Sequence, residues 1–401
     1  MIFKGRRELF AKGMRMARGY TLYEFFAGGG LARAGLGEGW TCLFANDISE
    51  KKAAVYRANF DPADELVVCS VSDVPALGIP EQATLAWASF PCQDLSLAGN
   101  GRGLQAERSG TFWGFWRLMA ALEQQGRAVP IIALENVTGL LTSNAGGDFE
   151  ELVRVLVSAG YSVGALVMDA VHFVPQSRPR LFIVAVKDYM AIPAELNIEP
   201  PATSIWHPLV LKSAFDRLPS ALQDRWIWWN LPVPPKRSKN LRDIIDSEPQ
   251  GVRWHSKAET EYLLSLMAPL HLAKLRSAQA AGQIQAGTLY KRMRIENGIK
   301  QQRAEVRFDD VSGCLRTPVG GSSRQILLIV EGQSVRSRLL SVREAARLMG
   351  LPDTYVLPQN YNDGYHVMGD AVAVPVVSWL EQHLLRQLAN QMPELQIADM
   401  R

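Results

Sequence analysis

Cys92 stands where a thiol could be put to use. The stretch LAWASFPCQDLSLAGNGRGLQAERSG begins as a buried strand and turns polar and glycine-studded at the cysteine. Pro91 fixes its own backbone angle and restricts Phe90, which helps hold the thiol in place. Free cysteines are usually inert small hydrophobes in cores, and Cys42 and Cys69 fit that description. Cys92 does not, because Gln93, Asp94 and Ser96 surround it. A thiol acts as a nucleophile through its thiolate, which nearby positive charge favours. IIALENVTGL places Glu135 at the carboxyl end of another apolar run, and VPQSRPRLFIVAV puts Arg178 and Arg180 where a further one begins. Residues two apart in an extended chain face the same side, so Gln176, Arg178 and Arg180 can line one surface. A thiol, a carboxyl group and guanidinium groups suit nucleophilic addition assisted by proton sharing.

A second group of residues suits a small ligand. TLYEFFAGGGLARAGLG sets glycines directly after a strand and before a helix. Gly28 and Gly30 remove side chains, so a ligand can approach the backbone. The dinucleotide fingerprint is absent, since a GxGxxG starting at Gly28 needs glycine at 33 and Arg33 is there. Asp47 follows the next strand candidate, in place to accept hydrogen bonds from ribose hydroxyls. The pattern suits a nucleoside without a diphosphate. Taken singly, each motif also reads as ordinary structure: a tight turn, a capping aspartate, a salt-bridged strand edge.

The elements that must position these groups alternate along residues 21–186. Strand candidates cover 21–26, 41–45, 65–69, 85–89, 131–134, 163–168 and 181–186, with amphipathic helix candidates over 109–122 and 149–159. Such alternation implies βαβ units, an α/β fold and a mainly parallel sheet, whose ligands bind at the carboxyl ends of strands. The rhythm breaks after Lys187 into Pro-rich pieces, a cluster of Trp226, Trp228 and Trp229 that reads as local core, and a Gln/Ala-rich helix near 258–281. Regularity returns at Ser341, where SVREAARLMGLP carries a capping box (Ser341, Glu344) and stops at Gly350 and Pro352. The expected units are 1–186, 187–338 and a returning segment 339–401.

At 401 residues, 47% hydrophobic and 21% charged, the chain is neither disordered nor fibrous. It has no apolar run of the roughly 18 residues that a membrane span needs, and the basic N-terminus lacks the apolar core of a secretory signal. Four scattered cysteines without a CxxC pair suggest neither a zinc site nor disulfides, so no metal and a reducing, cytoplasmic setting are expected. Charge is uneven. In 187–338 Lys and Arg outnumber Asp and Glu by 22 to 15, against 21 to 25 elsewhere. A basic segment on a slightly acidic body suits a polyanion-binding module on an enzyme, or simply a solvated face.

The order of these motifs resembles the DNA (cytosine-5) methyltransferase family of bacterial restriction–modification systems. The matching residues are FAGGG (26–30), Asp47, Asp73, FPCQDLS (90–96), ENV (135–137), QSRPR (176–180), RLMGLP (347–352) and GDAV (369–372), and they bracket nearly the whole chain. Glu24 stands where that family usually has Asp, and Asp47 where it usually has Glu, so each carboxylate is kept.

The resemblance implies a Rossmann-like S-adenosylmethionine-dependent fold with a smaller target-recognition domain between 187 and 338. It implies methyl transfer from S-adenosyl-L-methionine to C5 of a cytosine flipped out of double-stranded DNA. Cys92 would add at C6, Glu135 would hydrogen-bond N3 and the exocyclic amine, Arg180 would contact O2, and Arg178 would support the loop or a phosphate. The cofactor pocket would use Phe25, Gly28, Gly30, Asp47, Ile48, Asp73, Asp370 and Val372. Ser96 and Arg108, on a loop closing over the base, would contact DNA. So would Thr317, Gly320, Gly321 and Arg324 of LRTPVGGSSRQILL, with Lys291, Arg292 and Arg294 as phosphate contacts. A monomer is expected, with a cognate restriction endonuclease acting on the same sites. The competing readings are a tRNA cytosine-5 methyltransferase on the same plan and a non-catalytic DNA-binding protein of the same fold.

Overall fold

The structure is a computed structural model and describes residues 19–91, 110–200, 204–296, 298–317 and 324–392. Cys92, Ser96, Arg108, Gly320 and Gly321 lie outside the described residues. Seven strands build the main sheet: β1 (Tyr20–Phe25), β2 (Trp40–Asp47), β3 (Leu66–Val68), β4 (Leu85–Ala88), β5 (Ile131–Val137), β6 (Tyr161–Asp169) and β7 (Pro179–Lys187). Their order is β3-β2-β1-β4-β5-β7-β6. β1 to β5 pair in parallel, and β7 runs antiparallel to both β5 and β6. The central strands read as unbroken apolar runs because helices cover both faces of the sheet. The order reverses between β1 and β4, which is where a ligand crevice opens on such sheets.

The C-terminal segment closes the first glycine turn. Gly35 lies against Val377, so closely that an added Cβ would fall 2.5 Å from it. The Ser378 hydroxyl donates to the Gly35 carbonyl at 2.8 Å, and the Tyr355 hydroxyl donates to the Gly29 carbonyl at 2.6 Å. The helix Val342–Leu348 begins with the expected Ser341/Glu344 capping box.

A second sheet, all antiparallel, is ordered β11-β10-β8-β9 from β8 (Gln285–Glu296), β9 (Ile299–Arg307), β10 (Ile326–Glu331) and β11 (Ser334–Leu339). Two helices, Lys257–Ser265 and Pro269–Ala280, replace the single helix expected near 258–281. Proline supplies no N–H to an ongoing helix and favours its first turn, so Pro269 starts the second one. Leu263, Met267 and Leu275 pack with Leu289, Val306 and Leu328 into a separate small core. The composition break at 187 marks the end of β7 and not the start of that core. Met190, Trp206, Trp229 and Ile244 still pack into the core of the main sheet, and Trp226 bridges to Val163 on β6.

One buried ion pair fastens the second sheet to the returning helix. Arg338 at the end of β11 meets Glu344 at 2.7 Å, with side chains 1% and 0% exposed. Glu344 also accepts from the backbone N–H groups of Asp246 and Ser341. Replacing Arg338 with Met strands that carboxylate in the core, which costs about 3–5 kcal/mol. Urea denaturation of Arg338→Met checks this, and a loss below about 1 kcal/mol contradicts it.

Candidate active site

A cavity of about 390 Å³ opens at the carboxyl ends of β1, β2, β4 and β5. Its two halves are continuous. Gly28, Asp47, Ile48, Asp370 and Val372 line one, and Phe90, Pro91, Glu135 and Arg180 the other.

In the first half the glycine turn is built around Asp47. Gly28 adopts a φ of +58°, and its N–H donates to Asp47 Oδ2 at 2.9 Å. Asp47 Oδ1 accepts from the N–H of Ser49 at 2.8 Å. Ile48 is 73% exposed although apolar, leaving an open greasy face at the rim. Asp370 pairs with Lys52 at 2.8 Å. Glu24 lies at the cavity floor with Oε1 accepting from the Arg33 N–H at 3.1 Å, while Oε2 is buried with no hydrogen-bond partner. Burial pushes its carboxyl up to about 8.

Three expected cofactor residues fall elsewhere. Phe25 is packed between Phe44 and Phe115, with ring centroids 5.5 and 5.0 Å away, and its neighbour Phe26 lines the cavity instead. Gly30 answers a packing need: a Cβ there would fall 2.3 Å from the Phe60 ring. Asp73 is exposed on the short turn Val71–Asp73, and Ser70 and Val71 are the lining residues of that segment.

In the second half the antiparallel course of β7 brings its first residues to the end of β5, in the register Val137 to Arg180. Arg180 Nε lies 3.1 Å from Glu135 Oε1, and both side chains are largely buried. Asn136, part of the ENV motif but given no structural role from sequence, ties two strand ends together. Its amide donates to the Phe90 carbonyl at 3.0 Å and its oxygen accepts from the Val137 N–H, so it fixes the backbone that leads into Pro91.

Arg178 spends both terminal nitrogens on residues 314–315 and 369–371, while its Nε is buried without a hydrogen-bond partner. Its Nη1 donates to the Leu315 carbonyl at 2.8 Å and to Cys314 Sγ at 3.3 Å, and its Nη2 donates to the carbonyls of Gly369 at 2.9 Å and Ala371 at 2.6 Å. It is a positioning residue. Burial lowers its guanidinium to about 10. Gln176 does similar work, donating to the Leu348 carbonyl and accepting from the Leu315 N–H. Two residues expected at DNA are engaged within the chain. Thr317 hydrogen-bonds Asp370, and Arg324 hydrogen-bonds Asn362 and lies over the rings of Tyr361 and Tyr365.

The donor set fits a nucleoside joined to an amino acid. Asp47 offers a carboxylate, Ile48 and Val372 offer apolar faces, and the unpartnered Glu24 oxygen offers an acceptor for a cationic donor. Among the described residues no cluster of His, Cys, Asp or Glu could hold a metal ion.

Sheet order and cavity together define an α/β fold with a ligand crevice at the point where the strand order reverses. Two solved structures share the fold: the Dnmt2 methyltransferase of S. pombe (TM-score 0.54, 17% identity, 92% of this chain and 99% of that one) and the Entamoeba histolytica methyltransferase EhMeth (TM-score 0.56, 15% identity, 92% and 98%). The model of the C-5 cytosine-specific DNA methylase family matches residues 20–386, and the chain belongs to that family. Relatives are Type II methyltransferases. M.BsuFI of Bacillus subtilis is 34% identical over 89% of this chain and 70% of its own length, and M.MspI of Moraxella sp is 23% identical over 94% and 73%. The chain is thus a methyltransferase of the DNA cytosine-5 class. No helix among the described residues is long and apolar enough to cross a membrane.

The state of Glu24 yields a prediction. A carboxyl whose folded value lies above its unfolded one keeps its proton better when folded. Stability is therefore unaffected well below the ordinary value of 4.5 and falls as pH rises from there to about 8. In Glu24→Gln that decline flattens. Thermal midpoints of the ligand-free protein from pH 5 to 8 check this, and an unchanged slope contradicts it.

Proposed function

We propose that this chain is a DNA (cytosine-5-)-methyltransferase that methylates a flipped cytosine in a specific duplex sequence, using S-adenosyl-L-methionine. The observation that carries the proposal is the Glu135–Arg180 pair sharing one cavity with Asp47, Ile48 and Val372. S-adenosylmethionine held there supplies a methyl carbon activated by its sulfonium. Asp47 takes the ribose hydroxyls, Ile48 and Val372 enclose the adenine, Asp370 completes the rim, and Glu24 receives the ammonium group.

Cys92, which follows the cavity-lining Pro91 in the chain, is the nucleophile. Its thiolate forms a bond to C6 of the cytosine, and the ring electrons move toward N3 and C5. Glu135 hydrogen-bonds N3 and the exocyclic amine, which balances that charge. Arg180 steadies Glu135 and contacts O2. C5 is then nucleophilic enough to take the methyl group, whose bond to the sulfonium breaks with its electron pair left on sulfur, giving a neutral thioether. Loss of the C5 proton to a base and breaking of the S–C6 bond restore the aromatic ring and the thiolate. Arg178 acts at one remove by holding residues 314–315 and 369–371 in register beside the cavity. None of this can happen within a stacked duplex, so the base must leave the helix.

The protein works as a cytoplasmic monomer whose partner activity is a restriction endonuclease of the same specificity. Methyl incorporation into duplex DNA and into tRNA, followed by bisulfite sequencing of the DNA, tests the reading. Methylation of duplex DNA at one recurring sequence is the expected result, and incorporation into tRNA alone overturns it. Glu135→Gln keeps the shape of the side chain but weakens its tie to Arg180. It is expected to lower kcat by about 10²–10⁴, the range of general acid–base contributions, with cofactor affinity kept. A change in KM for cofactor alone would contradict the assignment.

A further inference from the structure

The β8–β9 hairpin outgrows the core it belongs to. Leu289, Ala304 and Val306 are buried under the two helices of the second sheet, and the cover ends where Met267 bridges to Ala304. Beyond that point the strands stay paired to the register Glu296 to Ile299, although Met293, Arg294, Ile295, Ile299 and Lys300 are exposed. From Thr288 to Glu296 the strand reaches roughly 27 Å. Its base is tied to the active site, because the Gly313 N–H donates to Thr288 Oγ1 and the next two residues are held by Arg178.

The two faces of this overhang differ in charge. Cross-strand partners share a face. Arg292, Arg294 and Glu296 therefore lie with Arg303 and Glu305, and these charges are largely paired: Arg294 and Arg292 meet Glu305 and Arg303 meets Glu296, which leaves one positive charge in excess. The opposite face carries Lys291, Met293 and Ile295 on β8 and Lys300 and Gln302 on β9, none of them a carboxylate. It continues the plane of the buried core face, and Met293 and Ile295 are 48% and 71% exposed on it. A bare strand ribbon with apolar side chains flanked by lysines costs solubility unless something covers it.

We propose that the acid-free face of the β8–β9 overhang, formed by Lys291, Met293, Ile295, Lys300 and Gln302, is a DNA-reading surface that lies in the major groove beside the methylated base. This rests on the duplex-DNA reading above. A two-stranded ribbon fits the major groove, which is about 12 Å wide. The lysines neutralise phosphates on the groove walls, Met293 and Ile295 meet thymine methyl groups, and Gln302 can bond adenine by two hydrogen bonds. Arg292 and Arg294, the more obvious basic pair in the sequence, face away and stay with Glu305.

The test compares the wild-type protein with Lys291→Gln/Lys300→Gln, with Met293→Ala/Ile295→Ala and with Arg292→Gln/Arg294→Gln. The probe is a short duplex carrying a site mapped by bisulfite sequencing. Anisotropy titrations across a range of salt give affinity and its salt slope. The lysine pair is expected to weaken binding tenfold or more. It should also reduce the slope of log K against log salt by about 2, at about 0.9 for each phosphate no longer neutralised. The apolar pair is expected to relax the methylated sequence with little change in slope. The arginine pair should do neither. Thermal midpoints near wild type show that each variant folds. If the wild-type protein methylates the duplex but the lysine and apolar variants bind and choose sites as it does, the proposal is overturned and the DNA reading stands. If their loss appears on structured RNA and not on the duplex, the proposal is overturned as well. Failure of the wild-type protein to methylate any duplex would instead remove the reading on which it rests.

Discussion

Because β7 runs antiparallel between β5 and β6, its first residues arrive where the parallel strands end. A parallel β7 would deliver Arg180 to the opposite edge of the sheet, away from Glu135. Reversal puts the guanidinium 3.1 Å from the carboxylate, inside the cavity that Asp47 and Ile48 also line. The pair is largely withdrawn from water, where each charge would be costly alone. Glu135 is thereby held in one orientation, which the proposed role in bond formation requires.

Around that pair, the chain uses buried polar side chains to bind distant segments to one another. Arg178 reaches Leu315 and Gly369, which lie 137 and 191 residues further along the chain. Gln176 reaches Leu315 and Leu348, and Thr317 meets Asp370. Residues 315–317, the C-terminal turn and the strand edge therefore share hydrogen bonds and do not merely pack. Asp370, which joins Thr317 to Lys52 beside the half of the cavity that Asp47 lines, belongs to the same web. Movement of residues 314–317 against the second sheet would be felt at the cavity wall.

Much of this was legible from residues alone. Strands buried on both faces announce themselves as apolar runs, and all seven of the main sheet appear where the apolar runs placed them. The chemistry-bearing residues Glu135 and Arg180 could be assigned to strand ends because those runs end at polar residues. Other features were hidden for physical reasons. Phe25 and Phe26 could not be told apart by alternation, since β1 is covered on both faces. Arg178 is expected from its motif to support a loop or a phosphate, but the carbonyls of Leu315, Gly369 and Ala371 that it meets leave no mark on sequence. The β8–β9 hairpin escaped because the alternation of Met293 and Ile295 with Arg292, Arg294 and Glu296 is too short to mark a strand alone, so Lys291, Arg292 and Arg294 read together as phosphate contacts although they lie on opposite faces.

The account stands or falls on covalent chemistry at Cys92 directed by the Glu135–Arg180 pair. Duplex DNA with 5-fluorocytosine at the methylated position blocks loss of the C5 substituent, so a sulfur–carbon bond formed at C6 persists. With S-adenosylmethionine present, a complex that survives denaturant and maps by mass spectrometry to Cys92 is the predicted result. No such adduct, or one that persists unchanged in Cys92→Ser, would contradict it.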